Sequence, residues 1–284
     1  MSRRSLPHAQ IAARPGMRTE IMPSALDRWN PDVRAAADEE PDNTISILDV
    51  IGQDWWGEGV TAKRVASALR AIGKRDVVVN INSPGGDYFE GLGIYELLRD
   101  HPGKVTARVL GIAASAASVI AMASDELQIS RAGFLMIHNT WVVAAGDRNQ
   151  LRDVADWLEP FDGSAADIYA ARTGIDAKEI AKMLDRETWI GGSDAVDQGF
   201  ADALLPADRV SSGANNHADR GLAAVHKLDT LLARAGVSRS ERRELVAALK
   251  GGTPGAAPAG MPGAAVIAGI EDLLDSIKAM RGAA

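Results

Sequence analysis

The chain has 284 residues, a formal net charge of −7, 46% hydrophobic residues, five histidines and no cysteine. That length suits one medium domain with appendages or two small ones, and the missing thiols exclude disulfides, a cysteine nucleophile and a cysteine-ligated metal. An excess of Asp and Glu, 38 against 31 Lys and Arg, argues against a nucleic-acid partner, which would need a basic face. No apolar run reaches the roughly 18 residues of a membrane span. Arg3 and Arg4 are followed by no apolar core of the secretory kind. The expectation is a soluble cytoplasmic protein with no membrane partner.

Residues 1–43 carry Pro7, Pro15, Pro23, Pro31 and Pro41, spread so that no long helix fits. They read as a flexible N-terminal arm, with room for one short helix over 31–38. Residues 44–51 (TISILDVI) form a β-branched apolar run that predicts a strand. Val65, Leu69 and Ile72 share a helical face, with Thr61 as N-cap, and predict a helix over 61–72. A strand over 76–81 (DVVVNI), a helix over 91–100 and a strand over 105–110 follow. Next come a helix of tiny side chains over 113–123 and short strands over 127–129 and 134–137. Helices over 149–172, 177–184 and 193–198 complete the series, the last closed by Gly199. Strands alternating with helices imply βαβ units, a largely parallel α/β sheet, and a site at the carboxyl ends of its strands.

The character changes after Leu205. Residues 211–221 are polar and loop-like, and 222–235 and 238–249 can be helices. Residues 251–265 (GGTPGAAPAGMPGAA) are a Gly/Ala/Pro linker. Residues 266–280 carry Ile267, Ile270, Leu273, Leu274 and Ile277 on one helical face. The chain thus divides into an arm (1–43), an α/β domain (44–207), a helical extension (208–250), the linker (251–265) and a C-terminal helix (266–284).

Three features could carry chemistry. Asn82-Ser83-Pro84-Gly85-Gly86 follows a strand, and paired glycines there let the backbone turn sharply with N–H groups pointing at an anion. Gly111-Ile112-Ala113-Ala114-Ser115 runs a strand into a helix, placing a serine where N–H groups are unpaired and the helix dipole is positive. A serine nucleophile needs that environment, because a tetrahedral oxyanion is stabilised there. Ser118, one turn on, reads as packing. His138 ends the apolar strand FLMIHN and is the one histidine at a core strand end, since His8, His101, His217 and His226 lie in the arm, in a turn or past the break. Paired with Ser115 it would be a general base. A carboxylate to orient it comes from Asp185 or Glu187 in LDRETW, and spacing alone does not choose.

These residues give the chain a resemblance to ClpP-type serine peptidases, whose clan shares the crotonase fold of repeated ββα-like units. The matching stretches are INSPGGDYFEGLGIYELL (81–98), GIAASAASVIAMASDELQIS (111–130), FLMIHN (134–139) and ARTGIDAKEIAKMLDRETWIGGSDAVDQGFAD (171–202). Each is common alone, but four in the family's order and near its spacing are specific, and they cover about 44–206. The resemblance implies Ser115 as nucleophile, His138 as base, and Gly86 and Ala116 as the oxyanion-hole N–H donors. It puts Glu187 at the family's catalytic aspartate, a departure by one methylene, with Asp185 as the fallback. No metal or cofactor is implied. DRETW, GFAD and the long C-terminal extension look more like ClpP-related head-maturation proteases of phages and prophages. Such a protease would cut scaffold and capsid proteins, working in the cytoplasm of a bacterium or infected host, in association with procapsids. The resemblance also implies a homo-oligomeric ring stacked through the helix over 149–172, and leaves an AAA+ ATPase partner open, because residues 1–43 do not match the segment that contacts one.

Rival readings are a housekeeping ClpP subunit working with an ATPase, a crotonase-type acyl-CoA enzyme, a signal-peptide peptidase and a degenerate structural subunit. The acyl-CoA enzyme would use carboxylates near the helix bearing the hole, where this chain has a serine. The signal-peptide peptidase would use a lysine base, and no lysine lies between Lys104 and Lys178.

Overall fold

The computed structural model describes residues 18–19, 21–36, 41–52 and 59–212, and ten positions between 225 and 246. The chain divides into two compact units, Met1–Ala223 and Ala224–Ala284. The first begins with β1 (Arg18–Thr19), α1 (Pro23–Arg28) and β2 (Val33–Ala35). Then come β3 (Thr44–Ile47), α2 (Ala62–Ile72), β4 (Val77–Ser83), α3 (Tyr88–Arg99), β5 (Val105–Ala114) and α4 (Ala116–Met122). β6 (Glu126–Ser130), β7 (Phe134–Ile137), β8 (Val142–Val143), α5 (Arg148–Thr173) and α6 (Ala177–Asp185) follow. β9 (Thr188–Gly191), α7 (Gly192–Asp197), β10 (Ala203–Leu205) and β11 (Val210–Ser212) complete it.

Seven strands form the main sheet, with the path β10-β6-β5-β4-β3. All pairs along that path are parallel. β5 is long enough to branch. Its first half pairs with β6, and Ile112, Ala113 and Ala114 pair in parallel with Phe134, Leu135 and Met136 of β7. β9 then runs antiparallel to β7. One sheet face buries Ile45, Ile47, Val79, Ile81, Val105, Val109, Leu127 and Ile129 against Leu92, Tyr95, Val119, Ile120 and Tyr169 of the helices. Alternating inward residues on parallel strands and a helix stripe meeting them are what place this core.

The helices start where side chains cap them. Thr61 Oγ1 accepts the Arg64 N–H at 3.3 Å, and Asp87 accepts those of Phe89 and Glu90 at 2.8 and 3.0 Å. α5 opens with a reciprocal capping box between Asp147 and Gln150 and closes on Gly174 at φ 76°. Pro160 lies inside α5; it removes one ladder hydrogen bond, at an exposed turn.

Several expectations change. Of the helix expected over 31–38, the described residues 31–36 hold none: Val33–Ala35 is a strand, paired antiparallel with β11. The stretch 21–36 is not an irregular arm either. Ala25, Leu26 and Trp29 are buried with Val50, Ile112, Ala114 and Met136. The Trp29 indole donates to the Asn82 carbonyl at 3.0 Å, and the Asn82 amide donates to Asn30 and Val33 carbonyls at 2.7 and 3.0 Å. Pro23 sits in the first turn of α1, a helix of six residues, where its missing N–H costs nothing. With β1 on β8 and β2 on β11, the folded unit extends beyond 44–207 at both ends. Finally, the helix expected over 113–123 begins at Ala116, because the ladder to β7 holds Ala113 and Ala114 extended.

The strand expected over 44–51 ends at Ile47, after which Ile51 makes single bridges to Val60 and Gly86. In the second unit Val225, Leu228, Asp229 and Leu232, and then Glu241, Arg242 and residues 244–246, are helical. Arg242 pairs there with Asp229 at 3.4 Å. The linker over 251–265 and the helix over 266–280 lie outside the described residues. Among the described residues, no helix is long and apolar enough to cross a membrane.

Candidate active site

Ser115 occupies the single residue between β5 and α4. Its backbone sits at φ 55°, ψ −126°, a conformation costly for any side chain with a Cβ. The surroundings over-determine it. The Ser115 N–H donates to the Met136 carbonyl at 2.9 Å, and its own carbonyl accepts the N–H groups of Ser118 and Val119 at 2.9 and 3.3 Å. This turn lifts the hydroxyl out of both elements, half-exposed, into a cleft lined by Gly86, Tyr88, His138, Thr140, Trp141 and Tyr169. There Ser115 Oγ lies 2.7 Å from His138 Nε2.

Ser118 is a different kind of serine. It is fully buried, and its Oγ meets the Ser115 carbonyl at 2.6 Å, the Met136 carbonyl at 3.0 Å and the Tyr169 hydroxyl at 2.8 Å. Burial pushes the Tyr169 phenol well above its usual range, so Tyr169 is a neutral donor to Ser118, whose one proton serves the two carbonyls. The Ser118–Tyr169 bond leaves no local signal in the sequence, because its partners lie 51 residues apart on different helices.

Burial pushes the His138 imidazole down to about 4, against smaller raising contributions from the Glu187 charge and a backbone hydrogen bond at Asn139. The neutral ring is the form that can accept a proton from Ser115. Glu187 reaches it through strand register. Ile137 lies opposite Thr188 in the β7–β9 ladder, so one further step sets Glu187 across from His138. The ladder stops there, with Glu187 at φ 51°. Its Oε1 accepts the Trp189 indole N–H at 3.1 Å. Asp185, the other candidate, is exposed and accepts the Asn139 amide N–H at 2.8 Å; it does not figure among the charges acting on His138.

Gly85 and Gly86 both have positive φ, 86° and 146°. A Cβ on Gly85 would lie 2.5 Å from the Ala114 carbonyl oxygen and 2.7 Å from Ser115 Cβ, and one on Gly86 would lie 2.2 Å from the Ile51 carbonyl oxygen. Only glycine lets this turn approach the serine so closely. The Ile51 N–H donates to the Gly85 carbonyl and the Asp87 N–H to the Ile51 carbonyl, both at 2.9 Å; Gly86 therefore turns its own N–H away from that strand. Gly86 and Ala116 are buried, and among the described residues their N–H groups have no protein acceptor. The structure thus brings Gly86, Ser115, Ala116, His138 and Glu187 together and leaves Asp185 at the rim. Of the other described histidine, His101, the ring is tied to the Arg75 carbonyl at 2.7 Å, away from the cleft. Among the described residues no group of three or more His, Asp or Glu side chains gathers to hold a metal.

A parallel α/β sheet with a serine and a neutral histidine joined at a strand-to-helix turn defines a protein of the serine-hydrolase kind. More narrowly, the chain belongs to the Clp protease family, whose model matches residues 58–208, more than half of it. It is 34% identical over 150 residues to "ATP-dependent Clp protease proteolytic subunit 3" of Rhodococcus jostii, covering 51% of this chain and 74% of that protein. It is 25% identical over 188 residues to proteolytic subunit 1 of Leifsonia xyli, covering 62% and 95%. A mutant of ClpP1 from Listeria monocytogenes superposes with a TM-score of 0.50 at 21% identity, over 63% of this chain and 94% of that one. That likeness speaks to the ClpP-type α/β fold.

Proposed function

We propose that the chain is a serine endopeptidase of ClpP type that works through an acyl-enzyme. Ser115 Oγ attacks the scissile carbonyl carbon while its proton passes to His138 Nε2. The oxyanion accepts the Gly86 and Ala116 N–H groups. The intermediate collapses, the C–N bond breaks, and the imidazolium returns the proton to the leaving amine. Water then attacks the ester by the same route and restores Ser115. The backbone hydrogen bond at Asn139 favours the tautomer that presents a lone pair at Nε2, and the Glu187 charge stabilises the imidazolium. The observation that carries this reading is the 2.7 Å contact of Ser115 Oγ with His138 Nε2 beside two buried N–H groups that have no acceptor among the described residues. The test is hydrolysis of a fluorogenic peptide, with active-site labelling by a fluorophosphonate read by intact mass. Ser115→Ala is expected to lose both; equal turnover by the variant rejects the assignment.

For the substrate, the same proposal extends to scaffold and capsid proteins processed in head maturation. The features that support it are Glu187 at the aspartate position and the extension beyond the family match at residue 208. Co-expression with the capsid and scaffold proteins encoded beside the gene tests it: specific, Ser115-dependent fragments are expected. A second reading, a proteolytic subunit fed by an ATPase, is favoured by the names of the relatives, which are ATP-dependent Clp protease subunits. Degradation stimulated by a Clp ATPase and ATP, with no capsid cleavage, would select it.

A further inference from the structure

The Glu187 side chain is one methylene longer than the aspartate expected at this position, so its carboxylate has one more rotatable bond to fix. In this structure it makes no hydrogen bond to the imidazole. Its carboxylate is instead held by Trp189, whose indole N–H donates to Oε1 at 3.1 Å. The indole is itself fixed on several sides. The Arg28 guanidinium lies over its ring, 4.2 Å from the centroid. The Phe134 ring meets it edge-on at 6.5 Å. In the β7–β9 ladder Trp189 stands opposite Met136, the residue whose carbonyl receives the Ser115 N–H at 2.9 Å and the Ser118 hydroxyl at 3.0 Å. One strand pair therefore carries both the frame of the serine and the donor on the acid.

We propose that Trp189 is the positioning residue for the catalytic acid: its indole N–H pins the Glu187 carboxylate beside His138, and Arg28 on α1 braces the indole. This rests on the triad reading above. The indole is a donor only, so it bonds the carboxylate without competing for the imidazole. A charge-assisted bond to one oxygen orients the group and leaves Oε2 to accept from Nδ1–H as the imidazolium develops. The strained backbone at Glu187, φ 51°, starts the side chain from a fixed direction, and Trp189 fixes its end. The brace also ties α1 to the site, since the Arg28 guanidinium lies over the ring.

The test uses the full chain and a fluorogenic peptide. Trp189→Phe keeps the ring and removes the donor. It is expected to lower kcat about tenfold, as misplacement of a catalytic group does, with KM and the melting temperature unchanged. In a Glu187→Gln background the same substitution is expected to change kcat by less than about twofold, because the coupling runs only through that carboxylate. Arg28→Ala should act in the same direction, more weakly, and vanish in the same background. An unchanged or raised kcat in Trp189→Phe, or an equal loss with and without Glu187, overturns the proposal. Fluorophosphonate labelling separates this from failure of the triad reading. If the wild-type protein is not labelled at Ser115, the triad and the positioning role fall together. If it is labelled and Trp189→Phe is labelled as fast, only the positioning role falls.

Discussion

His138 combines a half-buried imidazole with a carboxylate that acts on it by charge. Burial brings its pKa from 6.5 to about 4. The ring is therefore neutral at pH 7 and becomes protonated only as the pH falls through about 4. The acid limb of kcat/KM, which reports the free enzyme, is expected near pH 4 and not near 6.5. Initial rates across about pH 3 to 8 check this, and a limb centred at 6.5 or above contradicts it. Because the folded pKa is depressed, the folded state also loses stability as the pH drops below 6.5, where the unfolded chain takes up a proton that the buried ring refuses. At the third position, Glu187→Gln is expected to lower kcat at least about 10²-fold, since it removes the charge facing the imidazolium. Asp185→Asn leaves that charge in place and should cost less than about threefold. The reverse order would move the role to Asp185. Ser118→Ala should keep fluorophosphonate labelling and lower stability by about 1–3 kcal/mol, because it strands the buried Tyr169 hydroxyl.

The loop after β4 and the turn before α4 work as one device, and Gly85 is the point where they touch. An alanine there would place its Cβ 2.5 Å from the Ala114 carbonyl oxygen. Backbone cannot yield, so the loop must lift, taking the Gly86 N–H with it. Gly85→Ala is expected to lose about 10²–10³ in kcat, the cost of one oxyanion donor, with stability lowered by about 1–3 kcal/mol. Wild-type kcat in that variant would contradict the placement. The glycine pair, the serine and the histidine were legible in sequence because each lies at the end of a short apolar run, and strand ends are where such folds keep their sites. The elements that are less local were not. Ala113 and Ala114 have helical propensity, yet a ladder to a strand some twenty residues later in the chain keeps them extended, as tertiary pairing overrides weak preference. α1 and β2 were hidden because what orders them is the buried amide of Asn82 and the Trp29 indole, partners about fifty residues apart in sequence. Register, too, is invisible to composition: that Glu187 faces His138 and Asp185 does not follows from the antiparallel β7–β9 pairing.

At the scale of the whole molecule, α5 covers more than this chain uses. Its second half buries Phe161, Ala165, Ala166, Ile168 and Tyr169. Its first turns leave Leu151 45% exposed, with Val154, Trp157 and Leu158 only half-buried. A capped helix of 26 residues that runs past its own core is unpaid for in one subunit, since burial of each large apolar side chain is worth roughly 1.5–3 kcal/mol. Self-association through this stretch is expected to supply the missing partner, as in a ring. Light scattering on the full chain, with no nucleotide, is expected to give a multi-subunit mass across the micromolar range; a monomer throughout rejects it. Leu151→Asp places a charge in that contact and should shift the mass toward smaller species. The groups around Ser115 come from the loop after β4, the β5–α4 turn and the ends of β7 and β9, with Tyr169 in the buried half of α5, so the variant should still be labelled at Ser115 by a small fluorophosphonate. If labelling is lost while circular dichroism is retained, the first turns of α5 shape the site as well as the assembly, and the two roles assigned to its halves are wrong.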